Sequence, residues 1–304
     1  LLTEQIDGTF LKTHLGNSIG NGFKLAWTRN KVLGPFPGMP HSFPYRVFRK
    51  GDAAAGDDLQ AFLQGIAAAR MDGDFSRLFA VDHFVAYWAA SVLSGHWDSL
   101  LGNLQNDHLF HNAADGKWYC IGWDGDNNFD MAFRLRGGIS MYQEPIDGFY
   151  QCHETSVIFR QAYRIRGIHA AYTNKLASLL ANVFHPTRLH ARMDRMAALL
   201  LPYLPAEPPA SRLGSAAFQA ELLRIKEYIS RRHGHVSFQL NSRQVKGKAT
   251  VFFRIEAPLV PDGRIYLSGD IGALGNMESG NPGLVLHQAD RSGDRGVYTN
   301  RLVL

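Results

Sequence analysis

After the paired acids Asp57 and Asp58, apolar residues recur at Leu59, Phe62, Leu63 and Ile66. This is the spacing of a helix that buries one face, and the acids suit its first turn. The same period predicts a second helix over residues 81–93, with Phe84, Tyr87, Trp88 and Val92 apolar and Gly95 as its stop. Over 117–123 the period shortens to two, which predicts a strand with Trp118, Cys120 and Gly122 on one face and Tyr119, Ile121 and Trp123 on the other. Helical spacing returns over 156–184, with an interruption expected near Gly167. It continues after Pro186 through Leu189, Met193, Met196 and Leu200, and again after Ser215 through Phe218, Leu222, Ile225 and Ile229. That last helix is expected to end at Arg231, Arg232, His233 and Gly234, where basic residues complement the helix dipole.

The segments between these elements are of three kinds. Residues 1–50 alternate short apolar runs with Gly and Pro, and LGPFPGMPHSFP excludes a regular element. Residues 130–155, around Gly137 and Gly138, read as a long irregular insertion, and the Pro-rich 201–211 as a rigid connection within one domain. Beyond Lys246 the pattern becomes all β: VFFRIEAP, a turn at Pro261, Asp262 and Gly263, RIYLSGDIGALGN, and finally GVYTNRLVL. The chain therefore divides into an α+β domain over 1–240 and a β domain over 248–304.

Composition narrows the function classes. With 45% hydrophobic residues in 304, the chain can build a large core. The net charge of +5 is dispersed, with no block of five like charges, which argues against nucleic acid as a partner. Cys120 and Cys152 lack metal-ligand spacing and read as buried free thiols. No run of 18 apolar residues offers a membrane span. The chain opens at Leu1 in the middle of patterned sequence and reads as a fragment.

The chemistry concentrates in SGHWDSLLGNLQNDHLFHNAADGKWYCIGWDGDNNF, residues 94–129. Phosphoryl transfer needs a carboxylate for the acceptor hydroxyl and oxygen ligands for a divalent cation. It also needs positive charge on the phosphates. His96-Trp97-Asp98-Ser99-Leu100-Leu101-Gly102-Asn103 places an Asp and an Asn at the H-x-D-x-x-x-x-N spacing after a helix, and Asp124 and Asp126 follow the predicted strand. Magnesium, which keeps several waters, is satisfied by such ligands arriving from separate segments. The same Asp and Asn cluster also suits a metal-dependent phosphoesterase, for which His108 and His111 are available as further ligands.

The stretch WDSLLGN, the Asn-rich step into the strand and GWDGDNNF together resemble the spore coat protein H (CotH) kinase family. LLTEQIDGTFLKTHLGNSIGNGFKL is similar to that family's E-x-I-D-x-x-F-L and G-N-x-Y-K segments. FAVDHFVAYWAASVLSGHWD, FRQAYRIRGIHAAYTNKLASLL and FQAELLRIKEYISRRHGHVSFQL resemble its helices, so the likeness covers roughly residues 1–240. The resemblance implies a protein kinase-like fold, mainly the helical C-lobe with an incomplete N-lobe. It implies ATP and Mg2+ or Mn2+ as cofactors and Ser or Thr hydroxyls of a protein as acceptor. It also implies a spore-coat, secreted or cell-surface setting. Carried onto this sequence, it assigns Asp98 as the catalytic Asp and Asp124 and Asp126 as metal ligands. Asn103 and Asn106 compete for the amide ligand, and Glu4 and Asp7 fall at the hinge beside the nucleotide, with Lys24 a little beyond. His96 stands where the family commonly has Asn. The family's upstream R-G-N segment and strand Lys have no counterpart here, so the expectation is a metal floor without the full nucleotide clamp.

The C-terminal stretch resembles the opening of a starch-binding domain (carbohydrate-binding module family 20), an antiparallel β-sandwich of which about half would be present. Met277 replaces that family's Trp after G-N, so a polysaccharide contact is not carried over, and a structural or interaction role is expected. The alternative for the whole chain is a non-catalytic surface or carbohydrate-associated protein that retains a kinase-like scaffold.

Overall fold

The computed structural model describes residues 4–25, 45–49, 51, 55–102, 104–130, 141–147, 156–206, 214–244, 250–258, 264–267, 284–292 and 295–303. The chain separates into two compact units, Leu1–Leu240 and Asn241–Leu304. In the first, α1 (Gly8–Leu15) opens at Asp7, whose carboxylate accepts hydrogen bonds from the amides of Thr9 and Phe10 at 2.8 and 3.0 Å. There follow β1 (Gly20–Leu25), β2 (Tyr45–Arg49), α2 (Ala55–Ala68), α3 (Asp72–Leu78) and α4 (Val81–Ser94). Next come β3 (Asp107–Asn112), β4 (Lys117–Gly122), α5 (Val157–Arg164), α6 (Arg166–Asn182), α7 (Pro186–Leu200) and α8 (Ser215–Gln244). The architecture is α+β, mostly helical, with one small sheet.

The strands run antiparallel in the order β2-β1-β3-β4. In register, Phe23 opposes Leu109 and Leu109 opposes Cys120, and all three enter the core shared with the helices. Phe110 and Ile121 belong to a second, smaller cluster under α1, with Leu11 at its centre. The sheet is thus covered on both faces, which is why its central strand β3 carries adjacent apolar residues instead of a clean alternation. Trp118 and Cys120 face the helices and Ile121 the α1 side, as the period of two predicts for β4.

The predicted stripes Leu59, Phe62, Leu63 and Ile66 of α2, and Phe84, Trp88 and Val92 of α4, are fully buried. Each large aliphatic or aromatic side chain so buried contributes roughly 1.5–3 kcal/mol. Trp88 stacks on Tyr172 of α6 at 3.8 Å and Phe62 on Trp118 at 4.3 Å, joining helices and sheet through one aromatic core.

Two expectations, for α7 and α8, differ from what is observed, whereas the interruption expected near Gly167 is found two residues earlier, at Ile165, whose extended backbone separates α5 from α6. Gly167 lies inside α6, where a Cβ would collide with the Asp72 carboxylate. In α7 the predicted stripe is only half used: Leu189 and Met193 pack against the core, whereas Met196 and Leu200 are exposed and Ala197 is buried. Gly234 does not stop α8, which runs on because Arg232, Val236 and Leu240 are all buried, extending the stripe of Ile229. Those contacts outweigh the roughly 1 kcal/mol that a mid-helix Gly costs. Arg232, read from sequence as part of a basic helix end, is fully buried, its guanidinium bonded to the carbonyls of Val92, Tyr142 and Glu144.

The second unit contains β5 (Thr250–Pro258), β6 (Arg264–Leu267), β7 (Leu284–Ser292) and β8 (Arg295–Val303), antiparallel in the order β5-β8-β7-β6. The described residues form a single sheet; the second sheet of a sandwich is not among them. The turn at Pro261, Asp262 and Gly263, and Met277, lie outside the described residues, as does most of the 130–155 insertion. Among the described residues no helix is long and apolar enough to cross a membrane.

Candidate active site

Two loops leave the core side by side in sequence logic: 95–106, between α4 and β3, and 123–130, after β4. The first begins where Gly95 takes a left-handed conformation (φ +70°) and ends α4; a Cβ there would meet the Tyr228 hydroxyl at 2.5 Å. The loop then closes on itself. The Ser99 carbonyl accepts from the amides of Gly102 and Leu104 at 3.1 and 2.8 Å, and the Ser99 hydroxyl oxygen from the Leu101 amide at 3.2 Å. Gly102 sits so near the Trp97 carbonyl that a Cβ would lie 2.1 Å from its oxygen.

Asp98 is 3% exposed. Its Oδ2 accepts from the side-chain amide of Asn106 at 2.9 Å and from that of Gln105, so two donors fix the carboxylate's orientation. Asp107, the next residue along, is wholly buried. Its Oδ2 accepts from the Tyr87 hydroxyl at 2.6 Å and from the Leu100 amide, while Oδ1 lies 3.8 Å from His96 Nε2 and the Trp123 backbone also bears on the carboxylate. Burial pushes the Asp107 carboxyl up to about 7, against the lowering effect of its hydrogen-bond donors. The same burial lowers the pKa of His96, although the charges of Asp98 and Asp124 oppose it. His96 is therefore where the fields of both loops meet.

The second loop has the opposite character. Asp124 and Asp126 are exposed, and among the described residues neither makes a hydrogen bond or ion pair. Asp124 adopts a left-handed conformation (φ +57°) and starts a short 3-10 turn, Gly125–Asn127. The loop's far end is tied down: the Phe129 amide donates to the Ser94 carbonyl at 2.8 Å, and Arg224 of α8 donates to the Phe129 carbonyl. Among the described residues, the non-glycine positions with left-handed backbone are Leu104, Asn106, Asp124, Phe129 and Asp130. All lie in these two loops, the pattern of local strain that functional sites hold in place.

The other sequence-predicted residues are distributed as follows. Asn106 is in the Asp98 cluster, with its Nδ2 engaged; Asn103 lies outside the described residues. Asp7 caps α1 and Glu4 pairs with His14 at 3.2 Å, so their contacts are local to α1. Lys24 on β1 places its Nζ 5.9 Å from the Trp123 ring centroid, beside the residue that leads into Asp124. Strand alternation sends His108 and His111 to opposite faces of β3. His111 is bonded to Asp58 at 2.8 Å and stacked on Trp118, and His108 packs edge-on against Phe48 and Trp123. They do not converge with the aspartates, which removes the additional ligands that the phosphoesterase reading wanted.

Among the described residues no group of three or more His, Cys, Asp or Glu converges as a ready-made metal cage. The exposed carboxylates of Asp124 and Asp126 are oxygen donors of the kind that suits a magnesium-type ion, which keeps several of its waters. Sequence reasoning missed Asp107 and Tyr87. Tyr87 looked like one more apolar position of α4, and an Asp at the head of HLF carries no motif; only the tertiary pairing of α4 with β3 exposes them.

The family model described as CotH kinase protein matches residues 1–236. No curated protein matches the chain.

Proposed function

The chain belongs to the CotH kinase family, and from that premise we propose that it transfers the γ-phosphoryl group of ATP to Ser or Thr hydroxyls of a protein substrate. The observation that carries this reading is the state of Asp98: a buried carboxylate, held by Gln105 and Asn106, at the base of a strained loop. A carboxylate so fixed orients an acceptor hydroxyl and takes its proton as the oxygen attacks phosphorus. Asp124, Asp126 and the Asn106 Oδ1 are the proposed ligands of Mg2+ or Mn2+. When bound, that ion neutralises charge on the phosphate oxygens. Lys24, beside Trp123, offers a cation for the phosphates. A spore-coat or cell-surface setting is proposed with this activity, by family likeness.

The test is transfer of label from γ-labelled ATP to protein by the wild type, Asp98→Ala and Asp124→Ala, each checked for folding. The reading expects label with the wild type and at least a hundredfold less with either variant. Undiminished labelling by both variants removes the site assignment. A folded wild type that binds metal but never transfers label points instead to a non-catalytic scaffold.

A further inference from the structure

The Asp98 loop is braced from both ends by carboxylates pointing in opposite directions along the chain. Asp98 receives the side chains of Gln105 and Asn106 from the loop's exit. Asp107, at the exit, receives the backbone amide of Leu100 from the loop's entrance. Between them the amides of Leu101, Gly102 and Leu104 donate to Ser99. The backbone of the loop is thus tied at the Leu100 amide to Asp107, beside the burial of the Leu100 side chain in the core, and Asp107 is itself held from α4 by the Tyr87 hydroxyl at 2.6 Å. A fully buried carboxylate is a costly way to satisfy the backbone of Leu100 and Trp123 and one hydroxyl. A merely structural site would accept a neutral acceptor or an apolar pair there at less cost.

We infer that Asp107 is a positioning residue for Asp98, and that Tyr87 and Asp107 together set where the Asp98 carboxylate stands relative to the reacting hydroxyl. Asp107 touches neither substrate nor metal in this account; it acts through the Leu100 amide. The kinetic part of the inference rests on the proposed phosphotransfer, whereas the bracing of the loop does not.

The experiment compares wild type, Asp107→Asn, Asp107→Leu and Tyr87→Phe in two readouts: steady-state phosphotransfer and hydrogen exchange at the Leu100 amide. Asp107→Asn keeps an acceptor oxygen for Leu100 and should stay within about fivefold of the wild-type kcat. Asp107→Leu should lose roughly a hundredfold in kcat with KM for ATP changed less than about threefold, because displacement of the catalytic group by about an ångström has that effect. Its Leu100 amide should exchange at least tenfold faster. If Asp107→Leu does not fold, Tyr87→Phe carries the test: a folded variant with Leu100 exchanging faster and kcat down about threefold to tenfold supports the inference. Equal kcat in folded Asp107→Leu and wild type overturns it, as does an Asn variant as impaired as the Leu one, or unchanged Leu100 protection in every variant. If the wild type transfers no phosphate, the functional reading fails, and Leu100 exchange still decides whether Asp107 braces the loop.

Discussion

The two loops of the site differ in how their acids are treated. Asp98 and Asp107 are withdrawn from solvent and bound by donors, whereas Asp124 and Asp126, at the end of the neighbouring strand, stand exposed and make no hydrogen bond or ion pair among the described residues. A carboxylate that must meet a hydroxyl at a set angle profits from being fixed before the substrate arrives, since orientation is the larger part of its contribution. Carboxylates that take a hydrated cation must instead remain solvated, because magnesium gives up few of its waters. Under the proposed function, the difference between the loops is a division of labour written in burial.

The largest test of that division is chemical. Asp98→Asn retains the shape of the side chain but not its basicity, and phosphotransfer should fall about 10²–10⁴-fold with thermal unfolding nearly unchanged, as seen by comparing initial rates and melting curves. Next in size is the frame that holds both loops. Arg232 bonds the Val92 carbonyl, before the first loop, and the Tyr142 and Glu144 carbonyls, beyond the second. Arg232→Leu would strand three carbonyls, so a loss of about 3 kcal/mol is expected in urea unfolding.

The loops should also respond differently to a methyl group. Gly102→Ala drives a Cβ against the rigid Trp97 carbonyl and should cost about 1–3 kcal/mol. Gly125→Ala, in the other loop, meets only the movable end of the Asn128 side chain at 2.9 Å and should cost under about 1 kcal/mol. Equal costs would mean that the first loop is no stiffer than the second.

The smallest expected effect lies outside both loops and serves as their control. His111 has its pKa raised by the hydrogen bond to Asp58, so its contribution is complete below its usual 6.5 and fades as pH climbs through the raised value. Partial burial pushes Asp58 up, but the bonds from His111 and Asn21 prevail and hold it below its usual 3.8, so its contribution is lost as pH falls through that lowered value. The pair stabilises most between about pH 4 and 6.5. Asp58→Asn should therefore cost about 0.5–1 kcal/mol at pH 6 and less at pH 9, by denaturant unfolding at each pH, while metal binding is unaltered.

How much of this could be read from the chain depends on whether a feature is local. The helices α2 and α4 repeat their apolar residues over several turns, and such stripes are legible because one buried face dictates the spacing. The strand β4 was legible for the same reason. β3 and β1 were not: DHLFHN and GNGFKL are covered on both faces, so the alternation that marks a strand is lost. The short helix α1 and the helix α3 also escaped, having too few turns for a period to show. Gly234 misled because a helix stop is a local signal, while the burial of Arg232 and Val236 that overrides it is tertiary. Of the candidate site, Asp98, Asp124 and Asp126 were legible as a spaced motif. Tyr87 and Asp107 were not, since nothing in either segment announces that α4 and β3 will meet.

The division of labour between the loops is tested most directly by calorimetric titration of Mn2+ into wild type, Asp98→Asn and the double variant Asp124→Asn/Asp126→Asn. The account predicts that the double variant loses binding by at least about a hundredfold while Asp98→Asn stays within about threefold of wild type. Retained binding in the double variant, or loss of binding in Asp98→Asn alone, would contradict it.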